Sequence, residues 1–184
     1  NASFKPSSIN LALSNTQVGQ KQLQENPSRL MDIRFYRALY GQHPYAEPIT
    51  GTQGSTKKIN AELLKKFRDQ FLVAQNMNIA ITGKLSPKQA LELSGNLPQG
   101  QKAEALPQPE IQSGFEVVHL PYNSSQAHVT FGHLGPTRFT EDKLALEVAN
   151  RMFGGSGFNA VLMQELRVKR GFTYGAYSSL SFSQ

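Results

Sequence analysis

Histidine is the side chain most able to bind a catalytic metal in this sequence, because the chain contains four histidines and no cysteine. A hydrolytic zinc site needs about three protein ligands and an open position for water. His43 and Glu47 are spaced like ligands on one helix face, but the proline that follows each of them indicates a rigid turn instead. His128 and His133 lie an odd number of residues apart in a predicted strand, so they point to opposite faces. These residues do not assemble a zinc site, and we expect no metal ligands in this chain.

The segment from residue 153 to residue 177 places polar side chains at the end of a predicted helix. It opens with Gly154 and Gly155, and apolar residues three and four apart then predict an amphipathic helix over residues 159–169. Gly171 is the expected C-terminal cap of that helix, and alternation through residues 173–177 predicts a strand. Arg167 is therefore expected near a helix end, and Tyr174 early in the following strand.

A family resemblance rests on two motifs. The series Gly-Gly-x-Gly-Phe-(x)3-Leu-(x)3-Leu-Arg-x-Lys-Arg-Gly-Phe-Thr-Tyr-x-Ala-Tyr-Ser, beginning at Gly154, resembles the second lobe of the pitrilysin/insulinase zinc metallopeptidases, which include the mitochondrial processing peptidases. The series His-Pro-Tyr-x-x-Pro, beginning at His43, resembles the segment that closes the first lobe in the same family. The two motifs occur in the order that the family shows, and the resemblance covers residues 28–184.

The resemblance implies a fold and a set of site residues. It implies an α+β fold with two related lobes, each a mainly antiparallel sheet packed with helices. By resemblance, Arg167 and Tyr174 belong to a lobe that lacks the metal and reach a peptide substrate across a closed chamber. Gly154 and Gly155 would let the main chain approach that peptide closely. The alternative interpretation is that Arg167 is a solvated cation, Tyr174 an ordinary strand aromatic and the glycines a flexible turn.

The zinc motif of this family is absent from the chain. Active members carry H-x-x-E-H on a helix, with two histidine ligands and a glutamate base. The metal-bearing segment could lie before Asn1 in a longer protein, or the protein could be the non-catalytic member of a two-chain peptidase. An active first lobe would carry a distant glutamate ligand in a helix before residue 30. The only acid there is Glu25, next to Asn26-Pro27, and this departure favours the non-catalytic member. The resemblance then implies zinc in a partner lobe or subunit, a dimer and a peptide substrate.

Proline- and glycine-rich turns and helix signals divide the chain into parts of two lobes joined by a linker. Residues 1–97 are assigned to the latter part of one lobe, the proline- and glutamine-rich residues 98–114 to a linker, and residues 115–184 to the first part of the next lobe. Helices are predicted within residues 1–30, over residues 28–40 with Gly41 at the end, and over residues 59–72 with Asn60 as N-cap. Two more are predicted after the capping box at Ser86, and after Thr140 as a cap with Glu141 and Asp142 in the first turn. Strands are predicted over residues 78–83, 115–120 and 127–134, the last two as a hairpin.

Composition narrows the function classes further. Hydrophobic content of 39% and a net charge of +6 indicate a globular, basic domain. The lysines and arginines are dispersed and no nucleic-acid-binding motif occurs, so we expect no nucleic acid partner and interpret the charge as a chamber wall that attracts peptide. The absence of an N-terminal methionine and of a signal peptide indicates a processed product or a piece of a longer protein. A bacterial envelope location is suggested by the resemblance alone.

A rival function belongs to another class. The chain could be a family member that serves as a structural or assembly subunit without any role in proteolysis, and Arg167 and Tyr174 would then be packing residues. Whether the protein is an enzyme stays open at this point, because the chain has no zinc motif and is not expected to be catalytic alone. A nucleic-acid binder is the third option, and its mark would be binding that falls steeply with salt.

Overall fold

The computed structural model describes residues 3–110, 114–155 and 157–182. The chain forms two compact units, Asn1–Gly132 and His133–Gln184. The linker predicted at residues 98–114 falls within the first unit, where its residues 111–113 lie outside the described part of the chain. The division into parts of two peptidase-like lobes stays a prediction.

Helices dominate both units. The described residues of the first unit form the α-helices α1 (Pro6–Gln24), α2 (Pro27–Tyr40), α3 (Gln53–Thr56), α4 (Ala61–Phe71) and α5 (Pro87–Ser94). Short 3₁₀ turns lie at Pro44–Ala46 and Ala74–Asn76. The second unit contains α6 (Lys143–Asn150), which continues as a π-helical segment at Arg151–Gly155. A further π-helical segment spans Met163–Val168. Within the part of the chain that the structure describes, no helix has the length and apolar character needed to span a bilayer.

Local sequence signals explain where the helices of the first unit begin. Asn60 caps α4, because its side-chain oxygen accepts a hydrogen bond from the amide of Leu63 at 2.9 Å. Ser86 and Gln89 form the predicted capping box at the start of α5, with Pro87 at the first helical position. Gly41 ends α2 with a positive φ of 54°. These predictions are confirmed, and each depends on residues within one helical turn.

The start of α6 differs from the prediction. Thr140 was expected to cap the helix, with Glu141 and Asp142 in its first turn. The helix instead begins at Lys143, and its N-cap residue Asp142 makes no side-chain capping bond. The Thr140 hydroxyl accepts a bond from the amide of Asp142 at 3.3 Å, so it closes a local turn before the helix and leaves the first helical turn without a side-chain cap.

The predicted α+β fold with mainly antiparallel sheets is wrong, because the residues described by the structure form helices and loops and no β-strand. Residues 115–120 and 127–134 were predicted to pair as a hairpin, yet no backbone hydrogen bond between these two described segments is present. Their apolar side chains face outward, with Val117 74% and Phe131 79% exposed. Alternation of apolar residues favours an extended chain, but a strand also needs a partner at hydrogen-bonding distance. The segments 78–83 and 173–177 are likewise unpaired among the described residues.

Each unit has a small buried centre. In the first unit, Val73 is 1% exposed and packs against Gly100, where an added Cβ would lie 2.6 Å from the Val73 Cγ1 atom. The amide of Ala74 donates to the carbonyl of Pro98 at 2.8 Å, which fixes this part of the predicted linker. In the second unit, Ala160 and Met163 are buried. These contacts bring segments distant in sequence together without a sheet.

An aromatic cluster joins the end of α2 to the turn that follows it. The rings of Tyr36 and Tyr40 stack with centroids 6.0 Å apart, and the Tyr45 ring meets Tyr40 edge-on at 5.6 Å. The His43 ring lies 4.8 Å from that of Tyr45. The pKa of Tyr40 is raised above its ordinary value. The main cause is partial burial, and the neighbouring phenols of Tyr36 and Tyr45 make smaller contributions. The cluster fixes the direction in which the chain leaves α2.

Replacing Asn60 with alanine should destabilise the protein by about 1 kcal/mol, since the amide of Leu63 loses its capping acceptor. Urea denaturation measures this difference. The matched control is Gln70→Ala, at an exposed position near the end of the same helix, where alanine is an equal or better helix former. Equal losses in the two variants would show that the cap does not contribute.

Candidate functional site

Arg167 lies in the π-helical segment Met163–Val168 and is held by two contacts. Its Nη1 donates a hydrogen bond to the main-chain carbonyl of Tyr174 at 2.8 Å. Its guanidinium carbon lies 4.8 Å from the centre of the Phe158 ring, at cation–π distance. The residue is half-buried. The guanidinium is therefore fixed between an aromatic ring and the main chain seven residues ahead.

Gly171 makes this contact possible by turning the chain back along the helix. It has a positive φ of 64°, and its amide donates to the carbonyl of Arg167 at 2.9 Å. The next amide, that of Phe172, donates to the carbonyl of Leu166 at 2.9 Å. The helical segment ends at Val168 with Lys169 as its C-cap residue, and the predicted cap Gly171 instead closes the turn two residues later. Because of this turn, the main chain of Tyr174 lies within hydrogen-bonding distance of the Arg167 guanidinium.

The side chain of Tyr174 points away from these contacts. It is 85% exposed, and its hydroxyl has no hydrogen-bond partner among the described residues. The structure thus brings Arg167 to the backbone of Tyr174 and leaves the phenol in solvent. The family resemblance implied that the two residues act together, and the structure brings the Arg167 guanidinium into contact with the Tyr174 main chain only. Their role toward a substrate stays a prediction.

Gly154 is buried and lies against Ser178. Its carbonyl accepts a hydrogen bond from the Ser178 amide at 2.9 Å, and an added Cβ would lie 2.7 Å from that same nitrogen. Gly155 is exposed, and a Cβ there would lie 3.1 Å from the carbonyl oxygen of Asn150. The close approach at Gly154 is made by the chain itself, so Gly154 supports the position of the segment that carries Tyr174. The predicted approach of a peptide to these glycines stays untested.

Glu165 forms ion pairs with the two other cations at this helix end. Glu165 binds Lys169 through one carboxylate oxygen, and Arg170 through the other at 2.7 Å. The hydrogen bond from Lys169, and to a smaller extent that from Arg170, lowers the pKa of Glu165 below its ordinary value of 4.5. Arg167 forms no ion pair with any acid of the described chain. Its charge is therefore not neutralised by a neighbouring carboxylate.

The histidines do not form a metal centre in the described residues, where no three His, Cys, Asp or Glu side chains are grouped to hold an ion. His43 is buried and uses both ring nitrogens: Nδ1 accepts from the Tyr45 amide at 3.1 Å, and Nε2 lies 2.8 Å from the carbonyl of Pro107. Nε2 must therefore carry the hydrogen and donate to that carbonyl. Glu47 forms an ion pair with Arg37 at 3.1 Å. The interpretation of residues 43–48 as a rigid turn is confirmed by the 3₁₀ turn at Pro44–Ala46.

Residues 58–184 match the family model described as the peptidase M16 inactive domain. The chain belongs to this family. A crystal structure of the peptidase M16 inactive domain from Pseudomonas fluorescens is similar to it with a TM-score of 0.81 and 30% identity, over 98% of this chain and 44% of that one. The predicted membership of the zinc-peptidase family, as a part that lacks the zinc motif, is confirmed.

The curated relatives of this M16 inactive domain are longer proteins. The chain is 28% identical over 164 residues to an uncharacterized zinc protease of Mycobacterium leprae, and 26% identical over 161 residues to the uncharacterized zinc protease YmxG of Bacillus subtilis. These matches cover 85% and 86% of this chain, but 36% and 39% of the relatives. The chain is thus a non-catalytic domain of a zinc protease family and spans less than half the length of those relatives.

Sequence reasoning missed Phe158 as the aromatic ring beneath Arg167. Phe158 follows the glycine turn and lies outside the helical segment that carries Arg167, so no helical spacing indicated this contact. The burial of Gln20 and of the Arg37 Nε atom was also not predicted, because local patterns do not reveal burial.

Replacing Gly154 with alanine should destabilise the second unit by about 1–3 kcal/mol, because the new Cβ overlaps the main chain of Ser178. Gly135→Ala is the matched control in the same unit, since a Cβ there meets nothing within 4 Å. Urea denaturation followed by circular dichroism compares the two variants. A Gly154→Ala protein as stable as the Gly135→Ala protein would contradict the close approach to Ser178.

The Glu165 ion pairs should contribute stability that depends on pH. Because the pKa of Glu165 is lowered in the folded state, its contribution is present above the ordinary value of 4.5 and is lost as pH falls through the lowered pKa. The stability difference between wild type and Glu165→Gln should therefore shrink from about pH 7 to about pH 3, and also with added salt. Denaturation midpoints at several pH values measure it. A difference that does not change with pH would show that the pairs contribute nothing.

Proposed function

We propose that this M16 inactive domain helps to enclose and bind a peptide substrate for a zinc-bearing partner lobe or subunit of the same family. The observation that supports it is the arrangement of Arg167, whose guanidinium is fixed by Phe158 and by the carbonyl of Tyr174 while its charge has no acidic partner in the described chain. A fixed and uncompensated cation is suited to bind a carbonyl or carboxylate of a ligand.

Arg167 has donors to spare for such a ligand. A guanidinium carries five N–H groups, and the structure records one hydrogen bond from this one, to Tyr174. The two internal contacts limit the rotamers of the side chain, so less entropy is lost when a ligand binds. In the proposed complex, Arg167 hydrogen-bonds a carbonyl of the extended peptide.

Tyr174 supplies the second donor in this proposal. Its phenol is exposed and close to the level of Arg167 along the chain, so it can reach a molecule that lies on this face of the unit. The family resemblance assigns it to hold or polarise the scissile carbonyl as negative charge develops on the oxygen. Gly155 is exposed and presents its main chain without a side chain. Gly154 holds the Tyr174 segment in place through Ser178.

The partner and the compartment belong to the same proposal. In a zinc peptidase the metal activates the attacking water near neutral pH, so this chain, which carries no zinc motif, would act beside a metal-bearing partner. The partner would be a lobe of the same longer protein or a separate subunit, which makes the working assembly a dimer or a two-lobed chain. The bacterial envelope is the proposed compartment, on the family resemblance alone.

Arg167→Ala and Tyr174→Phe should each lower the rate of peptide cleavage by about tenfold or more, since each removes one donor to a carbonyl that becomes negative. The assay uses the full-length protein mixed with a zinc-bearing relative from the same organism, or alone if the zinc motif lies in the same chain. Steady-state kinetics separate the loss in kcat from the change in KM.

Matched controls are present on the same elements. Arg170→Ala removes a cation that is engaged by Glu165, and Tyr177→Phe removes a phenol that is 68% exposed three residues further on. Both controls should cleave at close to the wild-type rate. Equal losses in Arg167→Ala and Arg170→Ala would indicate a general effect of charge and would overturn the assignment of Arg167.

The structural-subunit alternative is favoured by the internal contacts of Arg167, because a guanidinium that stacks on Phe158 and bonds to Tyr174 also stabilises the unit by itself. In that case Arg167→Ala would lower the denaturation midpoint, Tyr174→Phe would change nothing, and cleavage by the assembled complex would be unaffected. Assembly measured by size-exclusion chromatography, beside cleavage, separates the two functions.

A further inference from the structure

The apolar face of α4, in the first unit, is open to solvent. Leu63, Leu64, Phe67 and Phe71 share this face because their spacing follows the helical period. Leu63 is 47% and Phe67 57% exposed, and the Phe67 and Phe71 rings lie together with centroids 4.8 Å apart. No other helix in the described part of the chain packs extensively against α4. The face is therefore available to a partner.

Positive charge accompanies this face. Residues 57–71 include five basic and two acidic side chains. Arg68 and Asp69 pair with each other at 2.7 Å, and the Arg68 guanidinium carbon lies 5.4 Å from the centre of the Phe4 ring. One acid, Glu62, then remains against four exposed lysines that form no ion pair with a described residue: Lys57, Lys58, Lys65 and Lys66. The segment thus carries positive charge that its described neighbours do not compensate.

We propose that α4 binds the surface of an anionic lipid bilayer, with the helix axis parallel to the membrane. Leu63 and Phe67 enter the boundary between the headgroups and the acyl chains, where an amphipathic helix buries its apolar face. Because an α-helix is about 10 Å wide, the lysines remain at the depth of the headgroups. Lys66, one turn after Leu63, borders the apolar face, and its long stem lets the ammonium reach an anionic headgroup.

The combination of charge and apolar side chains favours a lipid surface over other anionic partners. A nucleic acid would bind the lysines through its phosphates and would leave Leu63 and Phe67 in water. Lysine is depleted in interfaces between proteins. Lysines beside an apolar face with phenylalanine and leucine are typical of helices that lie on anionic membranes. A charged surface with an apolar interior therefore engages both sets of side chains on α4.

The first test is vesicle flotation of the full-length protein, with vesicles of phosphatidylcholine alone and of phosphatidylcholine and phosphatidylglycerol in equal amounts. The protein should bind the mixed vesicles at least about tenfold more tightly, and added salt should weaken that binding. Equal binding to both kinds of vesicle, or binding to neither, would overturn the proposal. Binding to heparin without binding to the mixed vesicles would indicate a surface for soluble polyanions and would also overturn it.

Charge variants locate the contact on α4. The double variant Lys65→Gln/Lys66→Gln should bind the mixed vesicles about tenfold or more weakly, since it removes two cations near the anionic surface. Lys84→Gln/Lys88→Gln is the matched control, because it removes two exposed lysines outside α4. Thermal denaturation shows whether each variant remains folded. Unchanged binding of the folded α4 variant would refute the site, as would an equal loss in the control.

Variants at Phe67 test whether the apolar face enters the bilayer. Phe67→Ala should weaken binding to the mixed vesicles by about tenfold, because it removes apolar area that the lipid would bury. Phe139→Ala, at a phenylalanine that is 77% exposed in the second unit, is the matched control and should bind like wild type. The fluorescence that Phe67→Trp adds to the wild-type signal should be quenched by lipids brominated on their acyl chains. Binding without this quenching would show adsorption by charge alone and would overturn the proposed insertion.

Discussion

The contact between Gly154 and Ser178 is the constraint on which the second unit depends. The two residues come within hydrogen-bonding distance because Gly154 has no Cβ, and the Ser178 amide donates to its carbonyl at 2.9 Å. The Ser178 hydroxyl and the Ala176 amide make further contacts to Asn150 and to the sulfur of Met163. Together they place the chain after Gly171 along the helix that precedes it. The position of Tyr174 beside Arg167 follows from this alignment.

One carboxylate, that of Glu165, forms ion pairs with two of the three cations at the end of that helix. Glu165 engages Lys169 and Arg170, and Arg167 is left to an aromatic ring and a main-chain carbonyl. The Phe158 ring and the Tyr174 carbonyl are uncharged groups, so they hold the guanidinium in place without neutralising its positive charge. This distinction between three neighbouring cations is the physical basis for assigning a binding role to Arg167 and not to the others. It also explains why a count of basic residues does not locate the site.

In the first unit, the buried histidine His43 has a structural role. His43 directs both ring nitrogens at main-chain groups, and one of them joins the turn after α2 to Pro107, 64 residues away. A histidine bound in this way has no nitrogen left for a metal. The matched family is an inactive domain, which agrees with this arrangement. Among the described residues of the unit, the buried side-chain atoms without a hydrogen-bond partner belong instead to Gln20 and Arg37.

The sequence by itself determined the features that depend on neighbours within one or two turns of chain. Asn60, the Ser86 capping box and the positive φ of Gly171 were predictable, since each satisfies main-chain groups a few residues away. The pairing of Arg167 with Tyr174 came from the family resemblance and not from local geometry. Tertiary structure alone decided the pairing of distant segments. The residues of 115–134 alternate as strands do, yet they remain unpaired because hydrogen bonding between strands depends on a partner that local sequence does not supply. Burial of Gln20 and the stacking of Phe158 on Arg167 likewise follow from packing and not from pattern.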